Sequence, residues 1–242
     1  MLEKAGAIIP TSYPEQLLIS VWFHDAGLTQ TPGELHGLES RQLCENFFSQ
    51  DEFLNKPPGE GLIRPADESM EIILRAIEHH DDKSLKTASE EFIPGTKPDL
   101  LSLLTVSDDL DAFGTIGIYR YAEIYLLRGI ETEQLPARVC RNVIDRFENI
   151  RRNFGKLESF ISMHESRFLK VRDFYMGLAQ AYESLQEKPS WEPALIEIFK
   201  SSLKNKKNLL PVDRFIPATE FDNEIRDWFN LLDRESESLD QL

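Results

Sequence analysis

An all-α fold is predicted by three features of this 242-residue sequence. Apolar residues recur at helical spacing along most of the chain. No segment shows the strict alternation of a half-buried strand, and no internal repeat is evident. Pro, Gly and Asn separate the periodic segments and mark their ends. With 41% hydrophobic and 10% aromatic residues, the composition is that of a chain that buries a core.

The first helix is predicted to begin near Ser12. Ser12 and Glu15 have the spacing of a capping box, and Pro14 is tolerated in a first helical turn. We expect its apolar face to contain four residues at spacings i, i+4, i+7 and i+11: Leu17, Val21, His24 and Leu28. His24 is thus expected to share the core-facing side, with Asp25 on the stripe beside it.

Two further helices are predicted over about 38–54 and 67–80. A loop rich in Pro and Gly, 55–65, lies between them, and a polar segment, 81–97, follows the second helix. The residues expected to face inward are Leu43, Phe47 and Phe48 in the first of these helices, and Ile73, Ile77 and His80 in the second.

The segment 99–129 is predicted to be helical, and its first half is apolar nearly all round, which is typical of a buried helix. That half nevertheless carries Asp108, Asp109 and Asp111. Four more helices are predicted, over 132–153, 156–186, 190–206 and 219–236. We place a domain boundary at about residue 130, where the composition does not change sharply. It gives a site-bearing domain 1–130 and a helical extension 131–242.

Net charge and composition limit the partners of the chain. A formal charge of −15 disfavours nucleic acids and anionic membranes, and no apolar stretch approaches the length that spans a bilayer. The N-terminus lacks the features of a signal peptide. Cys44 and Cys140 have no metal or redox spacing and are expected to be free thiols. We therefore expect a soluble, cytoplasmic protein.

Residues that commonly bind metals concentrate in the first half of the chain. In order they are His24, Asp25, His36, the pair His79 and His80, and Asp108. A carboxylate in an apolar helix is costly to bury, and a divalent cation removes that cost by coordination. Imidazole and carboxylate ligands suit Mn, Fe, Co, Ni or Zn. Taken singly, each residue also fits a structural interpretation: a hydrogen-bonded core histidine, a loop, a helix end or a surface turn.

Four stretches in this order, "WFHDAG", "LHGLES", "AIEHH" and "SDDLDAFGTIGIYR", resemble the HD superfamily of metal-dependent phosphohydrolases. The resemblance covers about residues 15–130. It implies an HD-type helical core, with the C-terminal helices as an addition. In one respect the chain departs from the family pattern, because no histidine precedes His24.

The resemblance also implies the roles of individual residues. His24 and Asp25 match the doublet that names the family, and Asp25 can bridge two metals. His36 matches a histidine of two-metal members. His80 matches the Ile-x-x-His spacing, and His79 is the reserve, since some members use a His-His pair.

Asp108 matches the terminal metal-ligating aspartate of the family. Asp111 and Arg120 match the rest of that signature and are expected to support the site or to contact phosphate. The implied activity is hydrolysis of a small phosphate ester or anhydride, with a nucleotide as the expected substrate and a homodimer as one expected assembly. Two alternatives stay open: an HD-fold di-iron oxygenase, and a non-catalytic regulatory or interaction module.

Overall fold

The computed structural model describes residues 8–30, 36–50, 64–82, 91–93, 95–183, 190–204 and 222–239. Over these residues the chain forms nine α-helices and two short 3-10 helices and no strand, which confirms the predicted all-α class. The α-helices are α1 (Tyr13–Phe23), α2 (His36–Phe48), α3 (Asp67–His79), α4 (Leu100–Asp111), α5 (Gly114–Leu127), α6 (Leu135–Phe154), α7 (Glu158–Glu183), α8 (Trp191–Lys204) and α9 (Asp222–Leu239). The 3-10 helices are Ala26–Thr29 and Thr132–Gln134.

The segment 99–129, predicted to be helical, forms two helices, and the first of them agrees with the buried helix predicted for its first half, over 99–113. Helix α4 ends at Asp111 and α5 begins at Gly114, which has a φ of 80°. Phe113 is extended at this corner, so the chain leaves one helix and enters the next within two residues. A left-handed φ is easily adopted only by glycine, and Gly114 therefore marks the break. Most of the predicted loop 55–65 and of the polar segment 81–97 lies outside the described residues.

The chain divides into two compact units. The first unit comprises Met1–Asp108 with Asn149–Phe160, and the second comprises Asp109–Glu148 with Ile161–Leu242. This division does not follow the boundary predicted at residue 130, because the end of α6 belongs to the first unit. All three borders, after residues 108, 148 and 160, fall inside continuous helices, where composition gives no signal of a border.

In the first unit, α1 and α2 both pack against α3. The Tyr13 hydroxyl donates a 3.0 Å hydrogen bond to the Pro98 carbonyl, which attaches the start of α1 to the segment before α4. The core contains the buried residues Ile19, Cys44, Phe48, Met70, Ile73, Leu74, Ala76, Ile77, Leu100 and Leu104. Ile73, Ile77 and His80 are all buried, as predicted for α3.

The predicted apolar face of α1 is confirmed only for Leu17, which is partly buried against the core. The buried residues of this helix are Tyr13, Gln16, Ile19 and Ser20. Val21 and Leu28 are exposed, and Trp22 is 79% exposed. Ser20 can be buried because its hydroxyl donates to the Gln16 carbonyl at 2.8 Å. The predicted capping box is also not formed, since Ser12 makes no side-chain hydrogen bond at the helix start.

In the second unit, α5 packs against α8 and α9. Glu235 of α9 accepts a 2.6 Å hydrogen bond from the Thr115 amide at the start of α5, and a 3.1 Å hydrogen bond from Arg167 Nε. A carboxylate at a helix N-terminus stabilises its unsatisfied amides. We call the contacts of Glu235 with Thr115 and Arg167 the Glu235 clasp. A Cβ at Gly114 would overlap the Glu235 carboxylate, so glycine is the residue that fits beside this clasp without displacing it.

The structure also bears on the two cysteines and on membrane-spanning helices. Cys44 and Cys140 are both free thiols, and burial raises the pKa of Cys44 to about 12. Among the described helices, none combines the length and apolar character needed to cross a membrane.

Candidate metal centre

Ligand-type side chains of the first unit converge at the ends of its helices. His24 stands directly after α1, and His80 stands directly after α3. Asp25 comes between His24 and the 3-10 helix Ala26–Thr29. Each of these three offers one ligand atom, and all three atoms lie within 4.8 Å of one another. His80 is buried and the other two are half-buried. This group can hold a metal ion.

Two more predicted residues lie beside this group. His36, the first residue of α2, has its Nε2 3.5 Å from Asp25 Oδ1 and 3.2 Å from His80 Nε2. Asp108, near the end of α4, has its Oδ1 4.0 Å from His24 Nε2. Five side chains that are far apart in sequence thus meet, with their ligand atoms toward one another.

The spacing of these atoms can be tested against metal coordination. Atoms that share one ion at bond lengths of about 2.0–2.2 Å lie roughly 2.8–3.6 Å from each other. Asp25 Oδ2 is 3.4 Å from His24 Nε2, and Asp25 Oδ1 is 3.4 Å from His80 Nε2. Together with the two distances of His36, four spacings fall inside that range. A fifth distance, 4.0 Å from Asp108 Oδ1 to His24 Nε2, is longer. The residues present therefore fit a bound transition metal.

In His24 and His80, the hydrogen bond made by Nδ1 determines which ring nitrogen carries the proton. His24 Nδ1 lies 2.7 Å from the Val21 carbonyl, and His80 Nδ1 lies 2.7 Å from the Ile77 carbonyl. A carbonyl can only accept, so each Nδ1 carries a hydrogen and donates it. In the neutral ring, Nε2 then keeps its lone pair and presents it to the cluster. Metal-binding histidines have this arrangement, which holds both the tautomer and the ring orientation.

Close contact between α2 and α3 brings His36 to His80. A Cβ at Gly37 would lie 2.4 Å from the Glu78 carbonyl oxygen, so only glycine permits this approach of the two backbones. Arg41 Nη1, one helical turn further along α2, donates to Glu78 Oε2 at 2.6 Å and ties the same two helices together. The separation of the two imidazoles is therefore set by the backbones that carry them.

The charges of the cluster shift two pKa values. Burial by itself would raise the pKa of Asp25, but the hydrogen bond from His80 and the nearby charges of three histidines outweigh it and lower this pKa to about 2. Burial would lower the pKa of His80, but the Asp25 and Ile77 hydrogen bonds, with the charges of Asp25 and Asp108, raise it. Asp25 is therefore an anion at any physiological pH.

The remaining predicted residues have other surroundings. His79 is half-buried, and its side chain makes no hydrogen bond or ion pair with the cluster residues described above. Asp111 and Arg120 form an ion pair with each other in the second unit. His164, which no motif includes, is buried in α7, where burial and the charge of Arg167 lower its pKa to about 4.

Sequence reasoning did not identify the residues whose carbonyls accept from the ring Nδ1 atoms. Val21 and Ile77 each stand three residues before a histidine of the cluster. The same spacing, a β-branched residue followed three positions later by histidine, occurs at both helix ends. Because the acceptors are backbone carbonyls, which every residue carries, the residue types at these positions give no signal for the contacts.

No protein-family model, no curated protein and no solved structure matches this chain. The chemistry of the site must therefore be inferred from its own residues, together with the motifs in its sequence.

Proposed function

We propose that this chain is a metal-dependent phosphohydrolase that acts on a small phosphate ester or anhydride, with a nucleotide as the expected substrate. The observation that supports it most is the group of His24, Asp25 and His80, whose ligand atoms could hold a metal ion, with His36 and Asp108 beside it. Three imidazoles without a cation between them gain little from such proximity. The resemblance of the four sequence motifs to HD phosphohydrolases is the second support.

All five residues are proposed as ligands, and Asp25 is proposed to lie between two ions. Its Oδ2 faces His24, whereas its Oδ1 faces His36 and His80. Asp108 is on the side of His24. The mixed imidazole and carboxylate set suits Mn, Fe, Co, Ni or Zn. His79 is not needed for this arrangement.

Hydrolysis requires a water molecule to attack phosphorus while the bond to the leaving oxygen breaks and a proton is transferred. Bound divalent cations would supply a water of lowered pKa and would offset charge on the phosphoryl oxygens. Asp25 stays ionised because its pKa is about 2, and it can therefore accept a hydrogen bond from the attacking water and orient it. The resemblance of the last sequence motif is what supports Arg120 as a proposed phosphate contact, since a guanidinium donates two parallel hydrogen bonds to phosphoryl oxygens, and Asp111 as the residue that orients it.

The net charge supports a small substrate. With 42 acidic and 27 basic residues, the chain repels long polyanions such as DNA or RNA at a distance. A small nucleotide carries few charges, and cations at the site attract it locally. We therefore propose free nucleotides or similar small phosphates as substrates.

Elemental analysis of the purified protein, followed by a phosphate-release screen over nucleotides and simple phosphate esters, tests this proposal. We expect a transition metal at one or two equivalents per chain and release of phosphate from at least one substrate. Asp25→Asn should lose both the metal and the activity. His79→Gln is the matched control and should retain both.

Three results would contradict the hydrolase. Bound iron with oxygen consumption and no phosphate release would favour the di-iron oxygenase. Tightly bound metal with neither activity would favour a regulatory or interaction module. A protein that binds no transition metal would remove the basis of the proposal.

A further inference from the structure

A hydrogen bond outside the ligand set joins the Asp25 segment to the His36 helix. The Gly27 amide donates to Ser40 Oγ at 2.8 Å, in the buried interior of the first unit. Gly27 lies in the 3-10 helix Ala26–Thr29, directly after Asp25. The first amides of a helix have no partner inside it, and Ser40 provides an acceptor for one of them. Ser40 thus caps the short helix that begins at Asp25.

Ser40 belongs to the same face of α2 as His36. The two residues are four positions apart, which places them on one side of a helix, one turn from each other. This stripe continues through Cys44 and Phe48, and all four residues are buried. The bond from Ser40 to Gly27 therefore runs beside the 3.5 Å approach of His36 Nε2 to Asp25 Oδ1.

Gly27 lets the two backbones approach closely enough for this bond. A Cβ on Gly27 would lie 2.2 Å from the His36 carbonyl oxygen and 2.7 Å from the Ser40 nitrogen. Any side chain there would push the Asp25 turn away from α2. The residue is needed for contact rather than for an unusual φ, since the glycines of positive φ are others.

A hydroxyl at position 40 is not explained by packing alone. Ser40 has 0% exposure and is followed on its stripe by Cys44 and Phe48 of the hydrophobic core. An apolar residue there would avoid the cost of burying a hydroxyl. The hydroxyl is the group that accepts from Gly27, and this bond fixes the peptide two positions beyond Asp25.

We infer that Ser40 and Gly27 are positioning residues of the metal centre, which hold Asp25 at coordination distance from His36. This inference rests on the metal-binding part of the proposed function. Neither residue contacts the metal or the substrate. Their effect is exerted through the Asp25 turn, whose distance from α2 decides whether Asp25 and His36 can act together.

The test is the affinity for Mn²⁺ of Ser40→Ala compared with that of Ser20→Ala. Both serines have 0% exposure in the first unit, and each makes one hydrogen bond, but the Ser20 bond is local to α1. Substitution of residues that orient metal ligands commonly weakens binding by roughly 10–100-fold. We expect a loss of that size for Ser40→Ala, affinity near that of the wild type for Ser20→Ala, and similar melting temperatures for both in chelator.

Titration of each purified protein with Mn²⁺ alone, with melting in chelator alongside, gives both quantities. Equal Mn²⁺ affinity of Ser40→Ala and wild type would overturn the inference, as would an equal loss in Ser20→Ala. If Ser40→Ala does not fold, Ser40→Cys is measured instead, since sulfur is a weak acceptor of similar size, and we expect an intermediate loss. Phosphate release is scored separately: its absence in a wild type that binds Mn²⁺ contradicts the hydrolase and leaves the positioning role supported.

Discussion

His36 Nε2 and His80 Nε2 lie 3.2 Å apart, at the ends of two helices whose backbones touch at Gly37. His80 Nδ1 donates to the Ile77 carbonyl, so in the neutral ring its Nε2 has a lone pair and faces another ring nitrogen, whereas in the protonated ring Nε2 donates to Asp25. Without a cation, a proton on His36 Nε2 would have to fill this gap. A metal ion between the rings would use both lone pairs.

The adjacent histidines of α3 should therefore differ in their effect. His80→Gln removes a lone pair from the centre of the cluster and should lower transition-metal stoichiometry or affinity by at least about tenfold, an effect typical of altered metal sites. His79→Gln changes a side chain that does not contact the cluster, and it should bind as the wild type does. Metal titration of the two purified variants measures the difference. Equal behaviour of the two variants would contradict the assignment of His80 as the ligand.

Replacing Asp25 by Ala should abolish the stabilisation by metal. A ligand that binds only the folded state at 100 times its Kd adds about 2.7 kcal/mol. For a chain of this size, that amount raises Tm by roughly 5–10 °C. Thermal melts of wild type and Asp25→Ala, each with chelator and with added Mn²⁺, should show the rise in the wild type only.

The metal-free state separates this explanation from a purely structural one. In chelator, Asp25→Ala should lower the stability of the protein less than it does with Mn²⁺, because the substitution then removes a partly buried carboxylate whose cation is already missing. A large destabilisation of equal size with and without metal would indicate a structural hydrogen bond instead. A wild type without any metal-dependent rise would leave only the fold.

His164 should make the free energy of unfolding fall in mild acid. Its folded-state pKa of about 4 is below the ordinary value of 6.5, so the unfolded chain binds a proton first as pH falls. The contribution is full above pH 6.5 and is lost between 6.5 and 4, by about 3 kcal/mol. Urea unfolding between pH 7 and 4.5 should show a shallower loss for His164→Leu. Met163→Leu, at the exposed neighbouring position, should keep the wild-type slope; a wild-type slope in His164→Leu would refute the assignment.

The Glu235 clasp predicts coupling between positions 114 and 235. Gly114→Ala introduces a left-handed alanine, at about 1–2 kcal/mol, and a Cβ that meets the Glu235 carboxylate. Glu235→Ala removes the acceptor of the Thr115 amide, at about 1–2 kcal/mol. The double variant relieves the overlap, so its cost should be at least about 1 kcal/mol below the sum of the single costs. Urea unfolding of the wild type, the two single variants and the double variant measures this coupling. Strictly additive costs would contradict the prediction, because they would show that the Cβ at position 114 is accommodated without any effect on Glu235.

Helix positions could be predicted well, because apolar periodicity and chain breakers are local signals. The range predicted for α3, 67–80, agrees with Asp67–His79. The end of α4 at Asp111 agrees with the buried helix predicted over 99–113, but the left-handed φ of Gly114 was not predicted, because a glycine inside an apolar run is a weak signal until its φ is known. The buried face of α1 was mistaken because burial in this helix does not follow the apolar residues: Val21 and Trp22 are exposed, whereas Gln16 and Ser20 are buried.

The meeting of the candidate ligands was predicted by their residue types and order, but their geometry was not. The distance from His36 to His80 depends on how closely α2 approaches Glu78 of α3, and the placement of Asp25 depends on Ser40. Both are contacts between segments distant in sequence. Nothing in a single sequence identifies which serine of a helix will meet which amide.

The bond between Thr115 and Glu235 also bears on how the protein is made, because 120 residues separate its two ends. A ribosome that adds roughly 5–20 residues per second synthesises Glu235 about 6–24 s after Thr115. During that interval the first turn of α5 must be solvated by water, and Arg167 emerges before its carboxylate partner. The start of α5 is thus among the last parts of the second unit to reach its final contacts.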